Sequence, residues 1–499
     1  MGFHGHFHPH GLGDEEYQRK VPDRVLISRL LKYVLPHRRR LTIALAAIIA
    51  ASVADVAGPY VLGRIVVDRY IVPHNFAGLS LVCLVYVGLL AANWLSSHLQ
   101  TRQVGWIGDN MLYEIREQMF SRLQELSFSF YDQSKTGEIM SRLTNDTDSI
   151  SEAFVSGAVQ VISDALQLIG IVLIMLIMSV PLTLVSMIVV PITVISALAF
   201  QSWFRKAYRM TREKIAVVTS RLQEGVSGMR EIQSFTREKD TMEDFRRANV
   251  ENLQANLQAT RIWGAFFPVI QMIGAVGTCI VLLYGGMLTM RGVLSVGTLI
   301  AFVLYIQRFF GPILDLTQFY NTVQSAMAAA ERIFEVIDAE PEIRDAPEAV
   351  ELPPVRGEVE FTKVTFGYDP EHPVLHDVSF LCKPKETLAL VGPTGAGKSS
   401  IIKLLSHLYE QQSGAIRVDG HDIRNVKQKS LRNQMGIVLQ ENFIFSGTVM
   451  ENIRYGKLDA TDEEVKDAAK MVGAHEFIIQ LPKGYETEVG ERGKSLSVG

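Results

Sequence analysis

Gly392-Pro393-Thr394-Gly395-Ala396-Gly397-Lys398-Ser399 is the stretch on which the reading of this chain turns. The apolar run Thr387-Leu388-Ala389-Leu390-Val391 leads into it, and Ser400–Tyr409 beyond it carries a helical pattern. Strand, glycine-rich loop and helix is the context a phosphate-binding loop needs. Glycines let successive backbone N–H groups curl round phosphate oxygens, and the new helix presents its positive end to them. Gly392, Thr394, Gly395, Ala396 and Gly397 form the expected cradle, with Lys398 reaching the terminal phosphates as a point charge. The Ser399 hydroxyl is the expected Mg²⁺ ligand, and Ser400 lies beside it in the nucleotide site. ATP and Mg²⁺ are therefore the expected ligands.

Upstream of the loop the pattern is strand-like. Val359-Glu360-Phe361 and Val364-Thr365-Phe366 alternate apolar and polar residues, and Val374–Leu381 continues the alternation. Residues 357–499 thus read as an α/β nucleotide-binding domain. Before them, Glu331–Pro354 turns charged and contains prolines, so 336–356 reads as a linker.

Residues 25–335 read as an all-α membrane domain with long helical extensions. Six stretches supply the roughly 20 apolar residues that a bilayer core requires of a helix. They are approximately Leu41–Ile65, Leu79–His98, Val155–Met178, Leu182–Phe204, Ile262–Met290 and Val296–Phe319. Lys32 and Arg38–Arg40 precede the first, Arg102, Arg116, Arg122, Lys135 and Arg142 follow the second, and Arg205–Arg247 is richer still. The opposite connections, Ile71–Gly78, Ser179–Pro181 and Arg291–Ser295, are short and nearly uncharged. This asymmetry predicts that both ends of the membrane region face the cytoplasm. A multi-pass protein of the plasma membrane is expected, with its N-terminus and nucleotide domain cytoplasmic.

The two basic connections are too long for simple loops and read mostly as continued helix, as in Arg205–Gln223 and Arg237–Ala259. Each is broken once, at Asp132–Glu138 and at Gly225–Glu231. Such turns are expected to be docking knobs for a cytoplasmic domain. Inside the spans, Asp55, Asp164, Arg308 and Asp315 carry charge where charge is costly. Each is a candidate substrate contact, a partner for another helix, or a residue near the cytoplasmic boundary, and Arg308 is the leading substrate candidate.

Composition narrows the class. Hydrophobic residues make up 48% and charged residues 20%, with a formal charge of −4, and no basic stripe points to nucleic acid. Cys83, Cys279 and Cys382 are too widely spaced for a disulfide framework. Residues 1–24 read as a flexible tail in which His4, His6, His8 and His10 alternate with Gly, Phe and Pro, and no cleavable signal peptide is evident.

Together these residues resemble the ATP-binding-cassette (ABC) exporter family, over nearly the whole chain. Tyr368 is similar to the aromatic residue that stacks on adenine in such cassettes. Gln440, in Ile437-Val438-Leu439-Gln440-Glu441, resembles the glutamine that ligates Mg²⁺. Thr487–Gly493 resembles the segment that cross-talks with the membrane loops. Leu496-Ser497-Val498-Gly499 resembles the start of the signature, whose Ser497 and Gly499 would cap the partner's ATP. The resemblance implies a dimer of half-transporters sandwiching two ATP molecules, with alternating access driven by closure and reset by hydrolysis. Val498 stands where many homodimeric members have glycine, which favours a heterodimer. The family's catalytic glutamate and switch histidine would lie beyond Gly499, so the chain reads as part of a longer one, with no catalytic residue inside it.

The leading expectation is a subunit of an ATP-driven exporter of amphipathic compounds, lipids or peptides. The alternative is a subunit that binds ATP without hydrolysing it and gates or regulates a transporter or channel. A membrane-anchored kinase or GTPase would leave the six spans unexplained, and an importer would not fuse its spans ahead of the cassette.

Overall fold

A computed structural model describes residues 21–369, 371–438 and 443–490. The chain divides into two units, Met1–Pro341 and Glu342–Gly499. The first is helical throughout, and six of its helices are long and apolar enough to cross a membrane. They are α1 Asp23–Ile71, α2 Phe76–Glu125, α3 Thr136–Met178, α4 Val180–Ser227, α5 Glu238–Met290 and the span Val296–Ile313, which joins α6 Val296–Arg308 through Phe309 to the start of α7 Phe310–Asp338. The chain is a multi-pass membrane protein. Most helices far exceed bilayer thickness at 1.5 Å per residue, as the polar helical spacing beyond each span predicted.

The expected breaks are present. Short helices Phe128–Gln133 and Met229–Ser234 interrupt the two long connections, the second after Gly228. Pro59 lies inside α1, where it lacks a donor and crowds the preceding turn. Val61 N–H is consequently shared between the carbonyls of Ala57 and Gly58, and Val61–Ile71 continues with wider, π-type turns.

Two clusters hold the bundle. Toward the long connections, Leu26, Leu30, Met111, Ile115, Met119, Ile150, Met327 and Ile333 are buried together. Toward the short connections, Val56, Ile171, Leu182, Val281, Phe302 and Tyr305 form the other, with Tyr305 Oη donating to the Val56 carbonyl at 2.6 Å. The α1–α6 crossing depends on glycines. A Cβ on Gly63 would lie 2.2 Å from the Gly297 carbonyl oxygen, and one on Gly297 would lie 1.9 Å from that of Gly63. Small residues let membrane helices approach this closely. The approach brings Asp68 to the start of α6, where its Oδ1 accepts from Gly297 N–H at 2.7 Å and Ser295 caps Thr298. Between α4 and α5, Phe200, Phe204, Trp263 and Phe266 interlock, and Lys214 meets Glu251 at 2.8 Å.

The second unit carries a four-stranded antiparallel sheet in the order β2-β1-β3-β4. Its strands are β1 Val359–Phe366, β2 Leu375–Cys382, β3 Ser413–Val418 and β4 His421–Asp422. Phe361, Val364, Phe366, Leu375, Leu404 and Ile416 fill the core between this sheet and helix α8, Lys398–Leu405. A two-stranded pair, Gly447–Thr448 with Glu488–Val489, anchors a smaller helical cluster.

Three expectations are corrected here. Thr387–Val391 joins no ladder among the described residues: every described strand pairs antiparallel with another described strand, and Val391 stays 88% exposed. The helix after the loop ends at Leu405 rather than Tyr409. His407 takes a left-handed backbone (φ 51°), and Leu408 N–H closes back on the Lys403 carbonyl, a terminating geometry. The connection is also shorter than 336–356. Asp338 still belongs to α7, while Val350 pairs with Asn425 and Lys427, and Leu352 is buried in the second unit's core.

Candidate functional site

The loop 392–397 takes its shape from glycine. Gly392, Gly395 and Gly397 have φ of 156°, 88° and 82°, the last two in the left-handed region that side chains resist. At Gly397 the restriction is double, since a Cβ there would meet Leu375 Cδ2 at 2.5 Å. The loop therefore lies directly on β2 before α8 begins at Lys398. This fits a phosphate group: a backbone turned inside out by left-handed residues, ahead of the positive end of an eight-residue helix.

Lys398 curls back over the loop, its Nζ donating to the carbonyls of Gly392 (2.8 Å) and Pro393 (2.7 Å). Ser399 is exposed on the first turn of α8, whereas Ser400 is buried and its Oγ lies 3.1 Å from Tyr368 Oη. That contact brings the aromatic candidate to the loop's helix. The Tyr368 ring stands edge-on to Phe366 and Tyr409, and Lys403 Nζ lies 5.1 Å from its centroid. Thr394 and Ala396 complete the turn, Ala396 N–H bonding to the Pro393 carbonyl at 3.2 Å. The sequence reading missed Lys403 and Tyr409. Lys403 falls one helical turn after Ser399 and Ser400, and that spacing was the available signal.

Gln440, Ser497 and Gly499 lie outside the described residues, as do Glu491–Gly493 and the N-terminal histidines. Thr487–Gly490 is described, and its Glu488–Val489 forms the short strand on Gly447–Thr448. Cys83, Cys279 and Cys382 are free thiols.

Below the loop, His407 is buried with neither ring nitrogen bonded among the described residues. Burial holds its imidazole below the usual value, and the neighbouring Arg432 charge acts in the same direction. Asp419 accepts from the N–H groups of Gly357 (3.2 Å) and Glu358 (2.8 Å). Burial opposes its ionisation, but these backbone donors prevail and keep its carboxyl low.

In the membrane unit, Arg308 does not stand alone. Its Nη1 donates to Asp55 Oδ1 at 2.6 Å and to the Asp55 carbonyl at 2.8 Å, while Gln167 donates to Asp55 Oδ2 at 2.8 Å. Asp164 is 3% exposed; its Oδ1 accepts from Gln160 at 3.0 Å, and its Oδ2 has no hydrogen-bond partner among the described residues. Asp315 is exposed on α7.

Comparison with known proteins follows this division. The family model for the ABC transporter transmembrane region matches residues 41–313, and the model described as ABC transporter matches 375–499. The chain is 38% identical to the uncharacterized ABC transporter ATP-binding protein YknV of Bacillus subtilis, over 94% of its own length and 78% of the relative's. It is 35% identical to the putative multidrug export ATP-binding/permease protein YgaD of the same organism (95% and 83%). With the ATP-dependent lipid A-core flippase of Syntrophus aciditrophicus it shares 31% identity (95% and 78%). Among solved structures, a bacterial Atm1-family ABC exporter with ATP bound superposes with a TM-score of 0.72 at 27% identity, covering 92% of this chain and 81% of that one.

Proposed function

Since this chain belongs to the ABC transporter family, as an ATPase–translocase with both regions in one polypeptide, we propose that it is one subunit of a dimeric exporter. It moves amphipathic compounds, lipids or peptides out of the cytoplasm by alternating access, its partner being a second half-transporter and preferably a non-identical one. The observation that carries this reading is the fusion of six spans to a glycine-cradled lysine loop. The names of its relatives, a multidrug exporter and a lipid flippase, support the substrate class. The short, nearly uncharged connections opposite the basic ones support a cytoplasmic nucleotide unit in the plasma membrane.

Bound MgATP supplies the polyphosphate whose hydrolysis drives the cycle. The backbone N–H groups of 392–397 bind its oxygens, and Lys398 leaves the Gly392 and Pro393 carbonyls to face them. Ser399 and Gln440 are the proposed metal ligands, Tyr368 the adenine platform, and Ser400 the hydroxyl that positions its ring. Ser497 and Gly499 cap the nucleotide held by the partner. The test is ATP-dependent uptake of amphipathic dyes into inverted vesicles carrying the full-length chain and its partner. Lys398→Ala should abolish uptake; nucleotide-dependent opening without turnover would favour a gating subunit instead. A stable two-fold dimer formed by the chain alone would overturn the preference for a non-identical partner.

A further inference from the structure

Two residues one turn apart on α8 reach the same aromatic ring. Ser400 Oγ lies 3.1 Å from Tyr368 Oη, and Lys403 Nζ lies over the Tyr368 ring, 5.1 Å from its centroid. Their i, i+3 spacing sets both on one stripe of the helix. Lys403 Nζ also lies 5.4 Å from the Tyr409 centroid, and the Tyr409 and Phe366 rings stand edge-on to Tyr368 at 5.1 and 5.0 Å. Tyr409 and Phe366 are buried, so they form a fixed wall, whereas Tyr368 keeps 46% of its surface open. An ammonium group within about 6 Å of a ring centroid is attracted to the negative π face. Lys403 follows Lys398 by five residues, which sets it roughly 8 Å down the axis from the end of α8 that meets the loop. Its charge is therefore placed at the aromatic ring and not at the phosphate cradle.

We propose that Lys403 is a positioning residue for the nucleobase: its ammonium group holds the Tyr368 ring from one face, and the opposite face receives the adenine. This rests on the reading of Tyr368 as the adenine platform, and it adds what sets that platform's orientation and stacking strength. The charge acts in two ways. Together with the Ser400 hydroxyl it fixes the tilt of the ring, so less side-chain freedom is lost when a base stacks. It also draws π density toward its own side, which relieves the repulsion between the negative faces of two stacked rings. Because Ser400 and Lys403 belong to the helix that Lys398 opens, α8 serves both ends of the nucleotide. Its N-terminus meets the phosphates, and its flank orients the platform for the base.

The probe is ribose-labelled methylanthraniloyl-ATP, bound to the full-length chain in lipid nanodiscs without magnesium so that nothing is hydrolysed. It is displaced by ATP or by tripolyphosphate, which has the phosphates but no base. Lys403→Met keeps the aliphatic stem and removes the charge. It should raise the Kd of ATP by about threefold to fivefold and leave that of tripolyphosphate within about 1.5-fold of wild type. Lys403→Arg, whose guanidinium also binds a π face, should keep the ATP Kd within about twofold of wild type. Loosening of α8, or a direct phosphate contact by Lys403, would weaken both competitors alike, so equal losses would overturn the inference. An unchanged ATP Kd in folded Lys403→Met would do the same, as would a loss in Lys403→Arg as large as in Lys403→Met. Should Lys403→Met not yield folded protein, the neutral, polar Lys403→Gln replaces it under the same criteria. Tyr368→Leu tests the underlying reading, since it should weaken ATP and spare tripolyphosphate. An ATP Kd unaffected by that change would overturn the adenine platform itself, and the role of Lys403 with it.

Discussion

Gly63→Ala is the sharpest test of how the membrane unit is built. The added methyl would lie 2.2 Å from the Gly297 carbonyl oxygen, 2.8 Å from Ala301 Cβ and 3.0 Å from Ala301 N, against an ordinary contact distance of 3.4 Å or more. Two of those three atoms are backbone, so no rotamer change relieves the clash, and α1 and α6 must separate by about 1 Å. Overpacking of this kind costs about 1–3 kcal/mol. Separation also stretches the 2.7 Å bond from Gly297 N–H to Asp68, and losing an N-terminal cap adds about 1 kcal/mol. The total is about 2–4 kcal/mol, against an intrinsic helical gain of ~1 kcal/mol for replacing glycine by alanine. The control is Gly88→Ala on α2, where a Cβ meets nothing within 4 Å and the helical gain acts alone. Thermal midpoints of the full-length chain in detergent, read by size exclusion after heating, should fall by several degrees for Gly63→Ala and hold or rise for Gly88→Ala. Gly297→Ala pushes the same pair apart, so the double variant should lose less than the two singles added together. Equal midpoints for Gly63→Ala and Gly88→Ala would refute the close backbone crossing.

Arg308→Met leaves Asp55 with the Gln167 amide alone among the described residues, and should destabilise the chain more than the double variant Asp55→Asn/Arg308→Met, as comparison of melting midpoints would show. Gly397→Ala combines a left-handed backbone with a 2.5 Å clash on Leu375, whereas a Cβ on Gly395 meets nothing; strain of about 1–3 kcal/mol at each position is joined by the clash only at Gly397. Fluorescent-nucleotide affinity should therefore fall further for Gly397→Ala than for Gly395→Ala. The buried His407 stays neutral when folded and accepts a proton when unfolded. Stability should thus be indifferent to this residue above its ordinary pKa of 6.5 and decline as pH falls below it, by at most about 1.4 kcal/mol per pH unit. His407→Asn, which tolerates the left-handed backbone, should flatten that slope; identical acid slopes for variant and wild type would dispose of the idea.

What the sequence made legible was local. Six apolar stretches, the glycine loop and the helix breaks at Asp132–Glu138 and Gly225–Glu231 each depend on residues within one turn or one span. What it hid was pairing at a distance. Arg308 was legible as a charge inside a span, a substrate contact or a partner for another helix, but only the fold identifies Asp55 as that partner, and nothing near Gly63 announced Gly297. Thr387–Val391 shows the converse: an apolar run has strand propensity, but a ladder needs a neighbour, and none of the described segments supplies one. Tyr368 was legible as an aromatic at a strand end. Its bond to Ser400 depends on α8 starting where Gly397 permits, which only the backbone reveals.

The folded-back Lys398 bears on how nucleotide affinity should be understood. With Nζ held by two loop carbonyls, the lysine acts as a tethered occupant of its own cradle, keeping the loop in shape before any phosphate arrives. An incoming nucleotide therefore displaces an internal rival, and the affinity it shows is the difference between two sets of contacts to the same ammonium group. Removing that ammonium deletes both the attraction and the competitor. Residual nucleotide binding after its loss would then measure what the backbone N–H groups accomplish by themselves.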